Sequence, residues 1–357
     1  MNLCWILLTT LFTFVELNCE NLFDYRHEEG KDDMEWTVTS PRHWNKGRYW
    51  RKLNNIGQEI ISCGDQSNQV QIYDNQSPSL SRERLRVGEQ SSGTNGRWPK
   101  GKAMGRDGSP PSWQLPDMVA LCEVENDSVL KDLTERSVLR NAGYRYLITH
   151  SPDLRGIDVA LLYSPASFGL IRSYALRVKP LSGMRPTRDI LYACGETVSG
   201  DTLHVFVVHA PSRFGGERQT RPNRRIVGER LIASIDSIRS LHPQPRIIVA
   251  GDFNDGDNDP LLKYFHSQRL HNISEGAMGH HGAKATYKYQ GKWENIDHIL
   301  VSSALVPAFQ EVYVHDPDFL LEEDTQYGGK QPHRNYNGMR YQRGFSDHLP
   351  LVARFRF

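Results

Sequence analysis

Asp252 and Asn254 stand two residues apart at the end of an apolar run, IIVAGDFND (247–255). Side chains two apart on an extended chain point the same way. The pair is therefore expected to look into one space, with Gly251 supplying a turn and Phe253 packed away. A turn in which Asp and Asn bond the local backbone is the plainer alternative. Other apolar runs end in the same manner. Asn18 closes TFVELN, Glu123 closes MVALCE, His209 closes VFVVH, Asp347 and His348 precede LPLVARFRF, and Asp297 opens DHILVS. Each has a dull reading alone: Glu123 as a helix cap, His209 as a core histidine, Asp347 as a turn residue. Their recurrence at strand ends points to a shared site. Grouped, they are hard oxygen donors with imidazoles among them, a set suited to Mg²⁺ or Mn²⁺ and poor in the His and Cys that zinc prefers. His280 and His281 lie in Gly-rich GAMGHHGAKA with no carboxylate at ligand spacing, so a zinc site there is disfavoured.

These residues need strands to carry them. The expected strands are 13–18, 116–126, YRYLITH, IDVALLYS, a hairpin of ILYACGETV and TLHVFVVHAPS around 199–201, the 247–255 run, another hairpin formed by ATYKYQGKWENIDHILVS, and a closing SDHLPLVARFRF. Helical spacing marks RYWRKLNNIGQEIISCG, VLKDLTERSVLRNAG, RRIVGERLIASIDSIRSLH and LLKYFHSQRL. Strands in pairs interrupted by helices suggest two packed sheets with helices outside. With 357 residues and 38% hydrophobic content the chain can bury a sizeable core. Its net charge of +1 offers no global field for a polyanion, so nucleic-acid affinity would need local patches. The five cysteines form no CxxC pair, which argues against a disulfide framework or a thiolate zinc site.

Residues 65–115 are rich in Gly, Ser, Pro, Gln and Arg, with little apolar periodicity. Such a stretch cannot offset its ordering entropy by burial, so it reads as a flexible insertion in one domain spanning 9–357, its arginines solvated. Residues 1–8 are a hydrophobic start that lacks the basic flank and small-residue cleavage site of a signal peptide. The reading leans to a cytoplasmic protein; secretion or membrane association stays open.

NCENLFD, LCEVEN, VVHAPS, GDFND, NIDHILVS and FSDHLP, in this order, resemble the motifs of the endonuclease/exonuclease/phosphatase superfamily. GDFN together with SDH is the specific part. The resemblance covers nearly the whole chain outside 65–115 and implies a four-layer α/β sandwich, two packed mixed β-sheets flanked by helices, with metal-dependent phosphoester hydrolysis. It implies Glu123 as the principal metal carboxylate with Asn18 beside it and Asp347 as a further acid on the metal side. Asp252 is similar to the residue that orients or deprotonates the attacking water, Asn254 to its hydrogen-bonding partner, and His348 to the imidazole on the scissile phosphate. Asp297 resembles the acid that sets that ring's tautomer. His209 resembles the histidine of the deoxyribonuclease branch, where abasic-site endonucleases carry another residue. Arg155, a further candidate phosphate ligand, and Asp158 match more loosely, and a buried structural ion pair is an equal alternative.

After His209, the stretch HAPSRFGGERQTRPNRR holds Arg213 and Arg218 as candidate phosphate ligands, while Arg224 and Arg225 are expected to be a solvated helix entry. The first functional reading is a nuclease-like phosphodiesterase. The second is a phosphatase or phospholipase C-like enzyme on a small or lipid phosphoester. The third is a silent phosphate-binding module, disfavoured because Glu123, Asp252, Asn254, Asp297 and His348 are all present. The expected partner is a phosphoester substrate, nucleic acid among the candidates, bound by a monomer with no obligate protein partner.

Overall fold

The computed structural model describes residues 11–64 and 114–357. The apolar start at 1–8 and nearly all of the 65–115 stretch lie outside them. The described residues 11–64 and 115–357 belong to one compact unit. Along the chain come β1 (Leu11–Leu22), α1 (Lys46–Ser62), β2 (Met118–Val124), α2 (Asp127–Glu135), β3 (Arg145–Ile148) and β4 (Asp158–Tyr163). Then follow β5 (Phe168–Leu176), β6 (Ile190–Thr197), β7 (Thr202–His209), α3 (Glu217–Leu241), β8 (Arg246–Asp252), α4 (Pro260–Ser267) and β9 (Leu270–Asn272). A small ribbon of β10 (Tyr287–Tyr289) and β11 (Lys292–Glu294) precedes β12 (Asp297–Ser302) and β13 (Phe309–Val314). Two further ribbons, β14 (Leu321–Glu323) with β15 (Lys330–Pro332) and β16 (Tyr336–Asn337) with β17 (Arg340–Tyr341), lead to β18 (Leu351–Arg356).

Two six-stranded sheets result, ordered β13-β18-β1-β2-β4-β3 and β5-β6-β7-β8-β12-β9. Each is antiparallel except for one central parallel pair, β1 with β2 and β7 with β8. The alternation of side chains explains the layers. Phe12, Phe14, Met118, Ala120 and Cys122 of the first sheet meet Val205, Val207, Ile248, Ala250, Ile299 and Val301 of the second. The intervening positions face outward. Val15, Leu17, Val119 and Leu121 pack under Leu53, Ile56 and Ile60 of α1 and Leu130 and Leu133 of α2. Phe206, Val208, Ile247 and Val249 pack under Val227, Leu231 and Ile235 of α3 and Phe265 of α4. Both sheets are thus covered on both faces, in the four layers anticipated.

Several boundaries differ from the sequence reading. Helix α2 stops at Glu135, where the 129–143 pattern suggested a longer helix; the N–H groups of Arg136 and Ser137 both return to Asp132 O and turn the chain. Helix α3 starts at Glu217 rather than near Arg224, with Pro222 inside it masking the earlier turns. Strands β5 and β13 are additional. Residues 285–302 are not one hairpin, since β10 and β11 pair with each other while β12 joins the second large sheet. The cysteines among the described residues (Cys19, Cys63, Cys122, Cys194) are free and buried. Among the described residues no helix is long and apolar enough to cross a membrane.

Gly251 is where the fold tolerates no substitute. Its φ is +144°, and an added Cβ would stand 1.8 Å from the carbonyl oxygen of Val208 on the neighbouring parallel strand. Gly251→Ala should cost more than about 3 kcal/mol, through strain and a backbone clash that no side chain can relieve. Urea denaturation checks this; a loss below 1 kcal/mol, roughly the ordinary effect of a point change, would mean that the two strands separate easily.

Candidate active site

The inward rows of the core do not stop at the last apolar residue. On β1 the row runs Phe12, Phe14, Glu16, Asn18; on β8 it runs Ile248, Ala250, Asp252; on β7 it ends at His209, and on β12 it begins at Asp297. The period of two therefore delivers Asn18, His209, Asp252 and Asp297 to the open end of the space between the sheets. His209 lies directly opposite Asp252, and Asp252 directly opposite Asp297, in one rung across three strands. Asn18 reaches over from the other sheet, its Nδ2 donating to Asp252 Oδ2 at 3.1 Å.

Glu123 gets there by a different route. Regular alternation would send it outward with Val119 and Leu121. Instead it adopts φ +63°, and the register between β2 and its neighbours shifts at this point. Such a bulge re-aims one side chain. Glu123 Oε2 accepts the Asn21 N–H at 2.8 Å, while Oε1 lies 3.5 Å from Arg155 Nη2 and 3.9 Å from His209 Nε2.

The last members come from the loop before β18. His348 Nδ1 meets Asp297 Oδ2 at 2.7 Å, with the ring and the carboxylate both buried. Its Nε2 lies 4.0 Å from Asp347 Oδ1. Ser346 fixes this segment, its hydroxyl donating to Asn18 O at 2.6 Å and accepting the His348 N–H at 3.1 Å.

Burial and like charge dominate the electrostatics. Burial raises the Asp252 carboxyl to about 7; Asp297 pushes in the same direction and the His348 cation opposes it. Burial favours a neutral His348, but the carboxylates of Asp297, Asp347 and Asp252 overcome it and hold the ring's pKa well above its usual range. His209 is held well below that range by burial and by Arg188 and Arg155, so it is neutral. Two imidazoles in one cleft thus carry opposite protonation states.

Asn18, Glu123, Arg155, His209, Asp252, Asn254, Asp297, Asp347 and His348 all lie around this end of the sheets. The other arginines do not behave as expected. Arg213 is not a free phosphate ligand: its Nε donates to Asn254 O at 2.7 Å and its Nη1 to Glu294 Oε2 at 2.6 Å, so it braces the loop after β8. Arg218 is exposed in the first turn of α3, and among the described residues no hydrogen bond or ion pair joins it to the site residues. Arg224, expected to be solvated, is fully buried against Asp255 at 2.7 Å, whereas Arg225 is half-exposed, pairs with Glu229 and covers the Tyr264 ring. Arg155 does not pair with Asp158; its Nη2 donates to Asn21 Oδ1 at 2.7 Å, and Asp158 accepts from Thr149 Oγ1 at 2.5 Å. Asn254 departs from the extended geometry as well. Its φ is +50°, its N–H donates to Asp252 Oδ1 at 2.8 Å, and its side chain donates to Ala210 O at 3.2 Å. The local turn and the shared site are both real: the turn itself locks Asp252.

Sequence reasoning passed over Arg188, Lys52, Tyr287 and Arg334. Arg188 is buried, donating to Asp153 Oδ2 at 3.1 Å and Ala210 O at 2.8 Å. Lys52 donates to Phe345 O just before Asp347. An uncompensated Lys on the apolar face of α1 was the available signal, since a buried Lys needs a partner.

Residues 107–356 match the sequence profile described as the Endonuclease/Exonuclease/phosphatase family, which is well over half of the chain. The chain belongs to this family. Structures of low sequence identity share the fold. A mannosyl-6-phosphatase from Bacteroides thetaiotaomicron superposes with TM-score 0.55 at 15% identity, over 97% of this chain and 100% of that one. An endonuclease/exonuclease/phosphatase family protein from the same organism gives 0.52 at 14%, over 98% of both chains. A conserved Enterococcus faecalis protein of unknown function gives 0.51 at 13%, over 96% of this chain and 98% of that one. No curated protein matches the sequence.

Members of the endonuclease/exonuclease/phosphatase family are phosphoesterases that generally use a divalent metal, and the donor set here suits one. Ligand atoms of buried Asp252, Asp297 and His348 lie within 4.8 Å of one another, and buried Asp297 Oδ1 has no hydrogen-bond partner. Asp252 is raised chiefly by burial and then by the Asp297 carboxylate, with the His348 cation opposing. This tight trio differs from the Asn18, Glu123 and Asp347 set that the sequence resemblance suggested. His348 Nδ1 is already taken up by Asp297 Oδ2, while Glu123 is held at the rim by the Asn21 N–H and Arg155.

The crowding has a consequence for stability. Burial raises Asp252 and Glu20 to about 7 and Glu59 to about 8. A carboxyl whose folded pKa lies above its unfolded value stabilises fully below about pH 4, and that contribution is lost as pH rises through the folded pKa. His348, also raised, acts in the same direction, and the depressed His209 acts oppositely only below its ordinary value. In chelator, stability should therefore fall between about pH 6.5 and 8 by at least ~1 kcal/mol, and Mg²⁺ should restore most at the alkaline end. Melting curves across that window test it; a flat profile with chelator would show that these carboxyls ionise as in the unfolded chain.

Proposed function

We propose that this chain hydrolyses a phosphodiester by in-line attack of water, in a divalent-metal-dependent reaction. The His348–Asp297 contact beside the rung of Asp252 carries the reading, because it sets a cationic proton donor opposite a carboxyl whose pKa is near neutrality. Asp252 accepts the proton of the attacking water, the turn at Asn254 holding its carboxylate in place. His348 donates from Nε2 to a phosphoryl oxygen as charge develops there, and Asp297 fixes the ring through Nδ1. Neutral His209 offers a further hydrogen bond within the same space. Glu123, Asn18 and Asp347 would hold the metal, which when bound neutralises phosphoryl charge and polarises an oxygen. Arg155 steadies Glu123 from the solvent side.

A second reading, a phosphatase acting on a small phosphoester, is favoured by one observation. Arg213 is occupied by Glu294 and Asn254, so the loop after His209 is less of a polyanion track than its composition suggests. A panel of plasmid DNA, RNA, bis-p-nitrophenyl phosphate, inositol phosphates and sphingomyelin, each with Mg²⁺, Mn²⁺ or chelator, separates the two. Activity should vanish in chelator and return with metal, and Glu123→Gln should mainly weaken metal binding. Full hydrolysis in excess chelator would remove the metal from the reaction. Unchanged metal affinity in Glu123→Gln would move that carboxylate away from the ion.

A further inference from the structure

Arg334 stands beside Asp347 in a setting that the proposed reaction leaves unused. Its backbone is locked by the loop between β15 and β18, which bonds across itself on both sides of Arg334. The Phe345 N–H donates to His333 O at 2.6 Å, and the Gln342 N–H to Asn335 O at 2.9 Å. Glu20, from the end of β1, accepts the Asn335 N–H at 2.7 Å and the Tyr336 N–H at 3.3 Å. Gly344 makes the crossing feasible, since a Cβ there would lie 2.1 Å from His333 O and 2.2 Å from Arg334 O. Helix α1 closes the clamp: Lys52 donates to Phe345 O, and Asn55 Nδ2 to Gly344 O at 2.7 Å and Arg343 O at 3.0 Å. Side chains from β1 and α1 thus join the loop's own backbone bonds in fixing it.

The guanidinium it presents is under-used. It stands beside the Tyr287 side chain and approaches Asp347 Oδ2 at 3.5 Å, with 24% of the side chain exposed. A contact at 3.5 Å is at the outer limit for a hydrogen bond, and a guanidinium carries five N–H donors in a planar fork. Tyr287 in turn packs its ring on His348, centroids 4.7 Å apart, and shares a backbone bridge with it. A pre-placed fork therefore sits one residue's width from the imidazole assigned to the phosphoryl group. An Arg fork suits two oxygens of one phosphate in a way that a Lys point charge does not.

We propose that Arg334, held by its clamped loop beside Asp347 and Tyr287, is a substrate-binding residue that takes the non-bridging oxygens of the phosphoryl group being hydrolysed. The inference rests on the phosphoesterase reading above, and it names a ligand that composition did not single out. The rival role is a strut that only holds Asp347, and the two roles part company in anion affinity.

Inorganic phosphate, titrated into the full chain by calorimetry with Mg²⁺ present, is the probe. Arg334→Ala should weaken phosphate binding roughly 10- to 100-fold, the worth of charge-assisted hydrogen bonds, with the melting temperature nearly unchanged. Arg334→Lys should recover only part of the affinity, and Tyr287→Phe should lose less than Arg334→Ala. On bis-p-nitrophenyl phosphate the Ala variant should lose kcat/KM, with guanidinium ion added to the assay restoring part of it. Phosphate affinity equal to wild type in both Arg334 variants overturns the proposal, as does a wild-type chain that binds no phosphate. If Arg334→Ala fails to fold, the Lys variant decides, because its stem fills the same space. Phosphate binding that depends on Arg334 in a chain that hydrolyses no phosphoester would sustain the anion site and bring down the phosphoesterase reading instead. Hydrolysis with affinity indifferent to Arg334 would do the reverse.

Discussion

Asp297→Asn should lower turnover by roughly 10²–10⁴, the usual range for disabling one acid–base participant. Asp297 Oδ2 sits 2.7 Å from His348 Nδ1, and both side chains are buried. The amide keeps the shape, removes the charge, and permits the wrong ring tautomer. The pH profile gives a sharper test than the rate. After burial, Asp297 is the largest influence raising Asp252, and it is the leading one raising His348 against burial. Removing its charge should therefore move the acidic limb, set by Asp252 near pH 7, and the basic limb, set by His348, both toward lower pH. The groups are close enough to titrate together, so the limbs belong to the cluster rather than to single residues. Metal affinity should change little if the ion sits at Glu123. Near-normal turnover with an unshifted profile would reduce Asp297 to a strand-start residue and dissolve the dyad.

Arg224→Ala should destabilise the fold by about 3–5 kcal/mol, the cost of leaving one member of a buried pair alone. Arg224 and Asp255 are both fully buried at 2.7 Å, and Arg224 also donates to Thr220 Oγ1 at 2.8 Å and Glu217 O at 3.1 Å. Burial already raises Asp255 to about 6 even with the Arg224 cation beside it. Without that cation the carboxyl would be protonated, and the first turns of α3 would lose their tie to the loop that follows Asp252. Replacing both together, Arg224→Met with Asp255→Asn, should cost much less than the single change, since no lone charge stays behind. Denaturant unfolding of the two variants settles it. Equal and small losses would mean that water reaches the pair.

The sequence by itself was sufficient for the layers and for most of the candidate site. An apolar run with period two states which side chains share a face, and a polar residue continuing that row at the strand end states that the face opens there. That is why Asn18, His209, Asp252 and Asp297 were legible, and why the ordered motifs led to the right family. Asp347 and His348 were legible through their motif. What tertiary structure alone decided concerns direction and partnership. Glu123 is on the outward row by count, and only its left-handed bulge turns it into the cleft. Asn254 reads as an extended neighbour of Asp252, yet its positive φ makes it the closing residue of a turn. The arginines were the least legible. Arg213 meets Glu294 across 81 residues and Arg224 meets Asp255 across 31, so neither partner lies within any local pattern. A guanidinium is defined by the carboxylate or phosphate that the folded chain brings to it, and spacing along the sequence carries no information about that encounter. Arg334 follows the same rule: its loop composition is unremarked in sequence, and it becomes a candidate ligand only when Glu20, Lys52 and Asn55 hold it beside Asp347 and His348.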